Sequence, residues 1–271
     1  MNTTTEFKPS LIQKLLGRNY KWWFILMYEF KISTTYIFND FLWIMARFVT
    51  FLLSVFVWSL SGRSDANEIV VYLIVGNLVL TSLMPIIIWT ISQEIYDGSI
   101  VKKLILPTNL KLWYFIQTIP GVVKNFLLVF VVIIPISYLF FRDLGFTGNF
   151  LWLLPLIIVS YISRYFIDFI VASLTFWFTR TYGINDFQIS IMPFLSGALF
   201  PLSVLPAWAR FMEFNPLAFT FYHPMQIYLG KYDTNQTILV FIGGLAWCLI
   251  LYFIAKLIFK FGLKRNESVG L

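Results

Sequence analysis

The residues able to do chemistry in this chain are few, and most lie inside apolar runs. Arg47, Lys124, Arg164 and Asp168 are ionisable groups embedded in hydrophobic stretches. A charge at the centre of a membrane helix costs about 2.5–3.5 kcal/mol on insertion scales, so such groups face a bundle interior, a cavity or an interface. Arg164 and Asp168 are four residues apart and share one helical face within pairing distance. That spacing suits either a self-neutralising pair that fixes helix packing or a polar stripe along a substrate path or subunit seam. Lys124 follows Pro120 and Gly121 close to one end of its run. Arg47 stands about two turns into its run, within snorkelling reach of the headgroups. Asn77, Thr81 and Ser82 add an uncharged polar face, Asn77 and Thr81 again four apart.

Enzymatic constellations are missing. The single His223 cannot make a histidine-rich zinc site, and the single Cys248 excludes both a disulfide framework and a thiolate cluster. There is no HExxH, no GxSxG, and no phosphate loop of the form GxxxxGKS or GxxxxGKT. No catalytic residue and no metal site is therefore assigned. His223 and Tyr222 suit interface anchoring better than catalysis.

The richest soluble-facing motif is EIYDGSIVKKLILP, Glu94 to Pro107. It combines Glu94, Tyr96 and Asp97 with a break at Gly98, then Lys102 and Lys103, then an apolar patch ending at Leu106 and Pro107. A short surface helix here offers both charged and apolar contacts to a soluble partner, although a solvated loop between spans has a similar composition.

The elements that position these residues follow from composition. The chain has 271 residues, 59% hydrophobic and 12% charged, with a mean hydropathy of +0.79. So few charges cannot cover a soluble surface, because ordinary globular chains carry about 25%. We read an all-α, polytopic membrane protein of one domain. About 20 apolar residues cross the hydrocarbon core, and six runs qualify: Phe41–Leu60, Ile69–Ser92, Tyr114–Phe141, Phe150–Phe178, Phe187–Pro206 and Thr237–Phe261. Short alternating barrel strands do not describe these continuous runs.

Charge distribution orients them. Lys8, Lys14, Arg18, Lys21, Lys31, Lys102, Lys103, Lys111, Arg180, Lys256, Lys260, Lys264 and Arg265 fall on one side, and only Arg63, Arg142, Arg210 and Lys231 on the other. The positive-inside rule places both termini and the 93–113 loop in the cytoplasm. This scattering is topogenic, so the net charge of +7 does not signal nucleic-acid binding. The polar start MNTTTEFKPS has no ordered signal-peptide regions. Residues 20–38 mix Trp22, Trp23, Phe24, Leu26 and Met27 with Lys21, Glu29 and Lys31, which suits an amphipathic helix on the inner surface; a cryptic first span is the competing reading. Towards the other face, FLSGALFPLSVLPAW (194–208) and NPLAFTFYHPMQIYLGK (215–231) are apolar but too rich in proline for one helix. Short pieces dipping back into the outer leaflet are expected over 207–236.

Together, the six spans, the interface helix, EIYDGSIVKKLILP and the proline-broken segment resemble an ABC-2 type permease over roughly residues 20–263. The resemblance implies that Glu94–Pro107 is a coupling helix docked on an ATPase, and that residues 207–236 cap the path. It is similar to the branch with paired permeases linked to efflux of antibiotics or other amphiphiles. This implies two ABC ATPase subunits, which bind ATP and Mg in place of this chain, and a second permease, identical or paralogous. The resemblance further implies a bacterial cytoplasmic membrane as the setting, with membrane lipid as a partner. Export of lipid-linked glycans or lipids by the same superfamily is the alternative. An intramembrane lipid-modifying enzyme and a passive channel are the readings from other classes.

Overall fold

The computed structural model describes residues 20–35, 37–60, 66–76, 83–129, 131, 150–178 and 182–267. The described chain is helical and contains no strand. We number its α-helices α1 (Tyr20–Thr35), α2 (Ile37–Ser59), α3 (Ala66–Val75), α4 (Ile88–Tyr96), α5 (Ile100–Leu104), α6 (Leu110–Leu128), α7 (Phe150–Ser173), α8 (Tyr182–Ser196), α9 (Tyr222–Tyr228) and α10 (Thr234–Glu267).

Among the described residues two stretches, Leu154–Phe176 and Thr234–Arg265, are long and apolar enough to cross a membrane, and α2 opens with the shorter apolar stretch Ile37–Ala46. The long helices pack on one another through small residues of α10. A Cβ on Gly244 would stand 2.7 Å from Val159 of α7, and one on Gly262 would run into the ring of Phe176. Ala255 is fully buried on the same side, and Cys248 meets Ser163 at 3.1 Å. Small residues let helix backbones approach closely where lipid supplies no hydrophobic drive. The other sides of α10 expose Leu239, Phe253, Leu257 and Phe261, as a lipid-facing helix does.

Two expected spans take a different form. Ile69–Ser92 is not one helix: α3 ends at Val75, α4 starts at Ile88, and Leu83–Ile87 carry no α-helix. Pro85 lacks an amide hydrogen and its ring crowds the preceding turn, which breaks a helix that hydropathy reads as continuous. Phe187–Pro206 is also shorter than expected. Its helix, α8, has 15 residues, roughly 22 Å at 1.5 Å per residue, against a core of about 30 Å. The chain leaves α8 at Gly197, whose φ of 83° is a left-handed conformation that favours glycine. Tyr72 donates to the Gly197 carbonyl at 2.7 Å and holds this corner.

Beyond the corner run 3-10 turns at Leu202–Val204, Ala207–Phe214 and Ala218–Thr220, then α9. Every residue of α9 is buried. Asn215 organises the turns: its amide donates to the carbonyls of Leu195 and Met212, while its oxygen accepts from the Leu217 and Ala218 amides. One hydrophobic core joins α2, α3 and these turns through Ile44, Tyr72, Leu73, Phe221 and Met225. A second joins the α4–α5 corner to α6, α7 and α10 through Ile91, Ile95, Ile100, Tyr114, Phe169 and Phe259. Helix α1 lies along α6.

Candidate functional site

The α4–α5 corner is built from a tight local code. Helix α4 ends at Tyr96, the Asp97 carboxylate accepts from the Ser99 amide at 2.9 Å, and Gly98 has φ 75°. The Ser99 hydrogen bonds hold the Asp97 carboxyl below the ordinary aspartate value. The five-residue α5 follows. Asn109 then caps α6 by accepting from the Lys111 and Leu112 amides at 3.1 and 3.3 Å, as N-cap residues do.

Ile95 and Ile100 anchor the corner in the second core. On the opposite side Tyr96, Asp97, Lys102, Leu104, Ile105 and Leu106 are exposed, Ile105 by 77%. The two adjacent lysines therefore part company, as a helix requires of neighbours about 100° apart. Lys102 faces out. Lys103 turns in, forms an ion pair with Glu94 at 2.7 Å, reaches Gln117 at 3.5 Å and lies over the Tyr114 ring at 4.4 Å. Tyr114 donates to the other Glu94 oxygen at 2.6 Å.

Helix α1 joins this network. Glu29 lies within electrostatic reach of Gln117, Lys103 and Glu94. Burial lifts the Glu29 carboxyl above its ordinary value, and the Lys103 charge only partly offsets this. Lys21 donates to the Pro107 carbonyl at 3.4 Å. Farther along, Lys124 of α6 donates to the Ser33 carbonyl at 2.8 Å and pairs with Asp40. The segment over 20–38 is thus two helices, α1 and the start of α2, with Lys124 clasping their junction.

The second polar centre is Asp168, fully buried. It pairs with Arg164 of the same helix at 3.0 Å. It also accepts from the Gln188 side chain of α8 at 2.7 Å and from the Ile87 amide at the start of α4 at 3.3 Å. Asn185, one turn from Gln188, donates to Ser92 at 3.2 Å. The pair is therefore a junction of three helices rather than an isolated i,i+4 contact.

Arg47 lies in α2, but its side chain is outside the described residues, as are Asn77, Thr81 and Ser82. His223 is enclosed, with Nε2 at 2.8 Å from the Glu213 carbonyl and Nδ1 at 3.0 Å from the Tyr232 hydroxyl. The carbonyl can only accept, so Nε2 carries the hydrogen and, in the neutral ring, Nδ1 accepts from Tyr232. Among the described residues no group of three or more His, Cys, Asp or Glu side chains is placed to hold a metal ion.

The model of the family described as "ABC-2 family transporter protein" matches residues 41–270. The chain belongs to the ABC-2 transporter family. No curated protein matches it. As an ABC-2 permease it is the membrane-spanning transport subunit of an ABC transporter, and ATP hydrolysis lies on a separate ABC ATPase chain. Asp40, Gln117, Asn185 and Gln188 are the permease's polar partners that motif reading missed, and Glu29 showed there only as a charge of the interface helix. Their only trace in sequence is polarity inside apolar helices, with Asn185 and Gln188 three apart on one face.

Proposed function

We propose that this permease drives outward movement of an amphiphilic compound, taken from the cytoplasm or inner leaflet, and that the α4–α5 corner is where the ATPase docks. The observation that carries the reading is the division of that corner. Glu94 and Lys103 fasten it inward, while Tyr96, Asp97, Lys102, Ile105 and Leu106 stand outward. An exposed apolar and charged edge on a rigid base is what a soluble motor needs to push against. Two ATPase copies would supply ATP and Mg, and a second permease, identical or paralogous, would complete the path. The aromatic, weakly charged chain supports an amphiphilic cargo. Both termini, and with them the corner, face the cytoplasm in this reading, following the lysine and arginine distribution; six crossings belong to it as well.

The mechanism is a transfer of force. ATP-driven closure of the motors presses on the corner, and the fastened base passes the displacement to α1, α4 and α6 together. The test is Lys102→Glu combined with Ile105→Asp. The double variant should lose co-purification of the ATPase, or keep it with hydrolysis uncoupled from export. Normal stoichiometry with normal export would remove the docking assignment.

A further inference from the structure

Lys111 of α6 and Lys256 and Lys260 in the C-terminal half of α10 are basic residues that the transport reading leaves unused. Tyr252, Lys256 and Lys260 follow at four-residue spacing, so they form a stripe along one side of α10. Lys111, at the start of α6, points its ammonium over the Tyr252 ring at 5.0 Å. Its backbone is fixed there, because the Tyr165 hydroxyl of α7 donates to the Lys111 carbonyl at 2.6 Å. Burial pushes the Lys111 ammonium below the ordinary lysine value, and the neighbouring Lys256 charge pushes it the same way. Among the described residues no carboxylate forms an ion pair with any of the three.

Like charges four apart on a helix repel, and Lys111, close enough to Lys256 to feel its charge, adds to the repulsion. A lone lysine at a helix end relieves its charge by snorkelling. Lys111 instead is held towards the others, at the positive end of α6. Immediately beside the lysines Phe253 and Leu257 are exposed, at 56% and 53%. A cationic notch above an apolar wall has the two-part chemistry of a phospholipid: an anionic headgroup and acyl chains.

We propose that Lys111, Lys256 and Lys260 bind the headgroup of an anionic phospholipid whose acyl chains lie along Phe253 and Leu257. The inference rests on the transport reading only for assigning the site to the cytoplasmic leaflet. Basic clusters at that level attract anionic lipid, and each lysine contributes to the attraction.

The test is native mass spectrometry of the detergent-purified permease, with its co-purifying subunits, titrated with phosphatidylglycerol or phosphatidylcholine. The wild type should retain phosphatidylglycerol about tenfold better, with the preference fading as salt rises. Lys111→Gln, Lys256→Gln and Lys260→Gln together should abolish the preference, while the three corresponding arginine substitutions should keep it. Should the glutamine variant not fold, the arginine variant and the salt series still decide. Equal retention of both lipids by the wild type would overturn the site, as would an undiminished preference in the glutamine variant. Loss of the ATPase from the glutamine variant with lipid preference unchanged would make the cluster a protein contact and also overturn it. Failure of the wild type to bring down any ATPase would count against the transport reading and leave the lipid result standing.

Discussion

Glu94 and Lys103 meet at 2.7 Å across the bend at Gly98, joining the end of α4 to the last turn of α5. Both are more than four-fifths covered, at 19% and 17% exposure. Removing either partner leaves a largely covered charge unpaired, and for Glu94→Gln or Lys103→Met we expect a loss of roughly 1–3 kcal/mol. The reciprocal exchange, Glu94→Lys with Lys103→Glu, should recover part of it. Thermal unfolding of the purified chain measures this, and a swap no better than the single changes would refute the pairing.

Asp168 should behave as the hub of its junction. Asp168→Leu orphans the Gln188 amide and the Ile87 N–H together, whereas Asp168→Asn keeps an acceptor for them. We expect the leucine change to be the more damaging. Arg164→Leu and Asp168→Leu should be non-additive by about 0.5–3 kcal/mol, since the double change leaves no unpaired charge. Melting temperatures of the singles and the double decide, and strict additivity would remove the coupling.

The glycine seam gives a contrast within one chain. Gly262→Ala drives a methyl into the Phe176 ring and should cost about 1–3 kcal/mol by overpacking. Phe176→Leu in the same chain should recover some of that loss. Gly121 of α6 has nothing within 4 Å of an added Cβ, so Gly121→Ala should be neutral or stabilising. Yields and unfolding temperatures of the pair test the seam; equal effects at both positions would refute it.

Glu29 supplies a pH dependence. Its carboxyl titrates above the ordinary 4.5, so the folded chain binds this proton more tightly than the unfolded one. Stability from this group is present at low pH and is lost as pH rises through the raised value. Asp97 works in the opposite sense: its lowered carboxyl contributes stability above the ordinary aspartate value that is lost on acidification. Glu29→Gln should flatten the decline on the alkaline side of 4.5. Unfolding temperatures of the wild type and variant across mildly acidic to neutral pH would show it, and parallel curves would rule it out.

The long helices were legible in sequence because α7 and α10 are continuous in both hydropathy and backbone. The same criterion misread Ile69–Ser92, since transfer free energy is indifferent to the break that Pro85 introduces. At the two polar centres, sequence exposed the local half alone. Arg164 and Asp168 announce each other by spacing, but Gln188 and the Ile87 amide reach Asp168 only through tertiary packing. Lys102 and Lys103 look equivalent as letters; the rotation of a five-residue helix separates the outward cation from the inward one.

The hydrogen bond from the Ile87 amide to Asp168 makes α4 a lever. Its near end is pinned to α7, which the glycine seam binds to α10 as one stiff strut. Its far end carries the Asp97–Gly98–Ser99 corner, nine residues or roughly 13 Å away. If the ATPase docks at the corner as proposed, a load there reaches Asp168 as torque along α4, and residues 83–86, which carry no α-helix, lie just before the pinned Ile87.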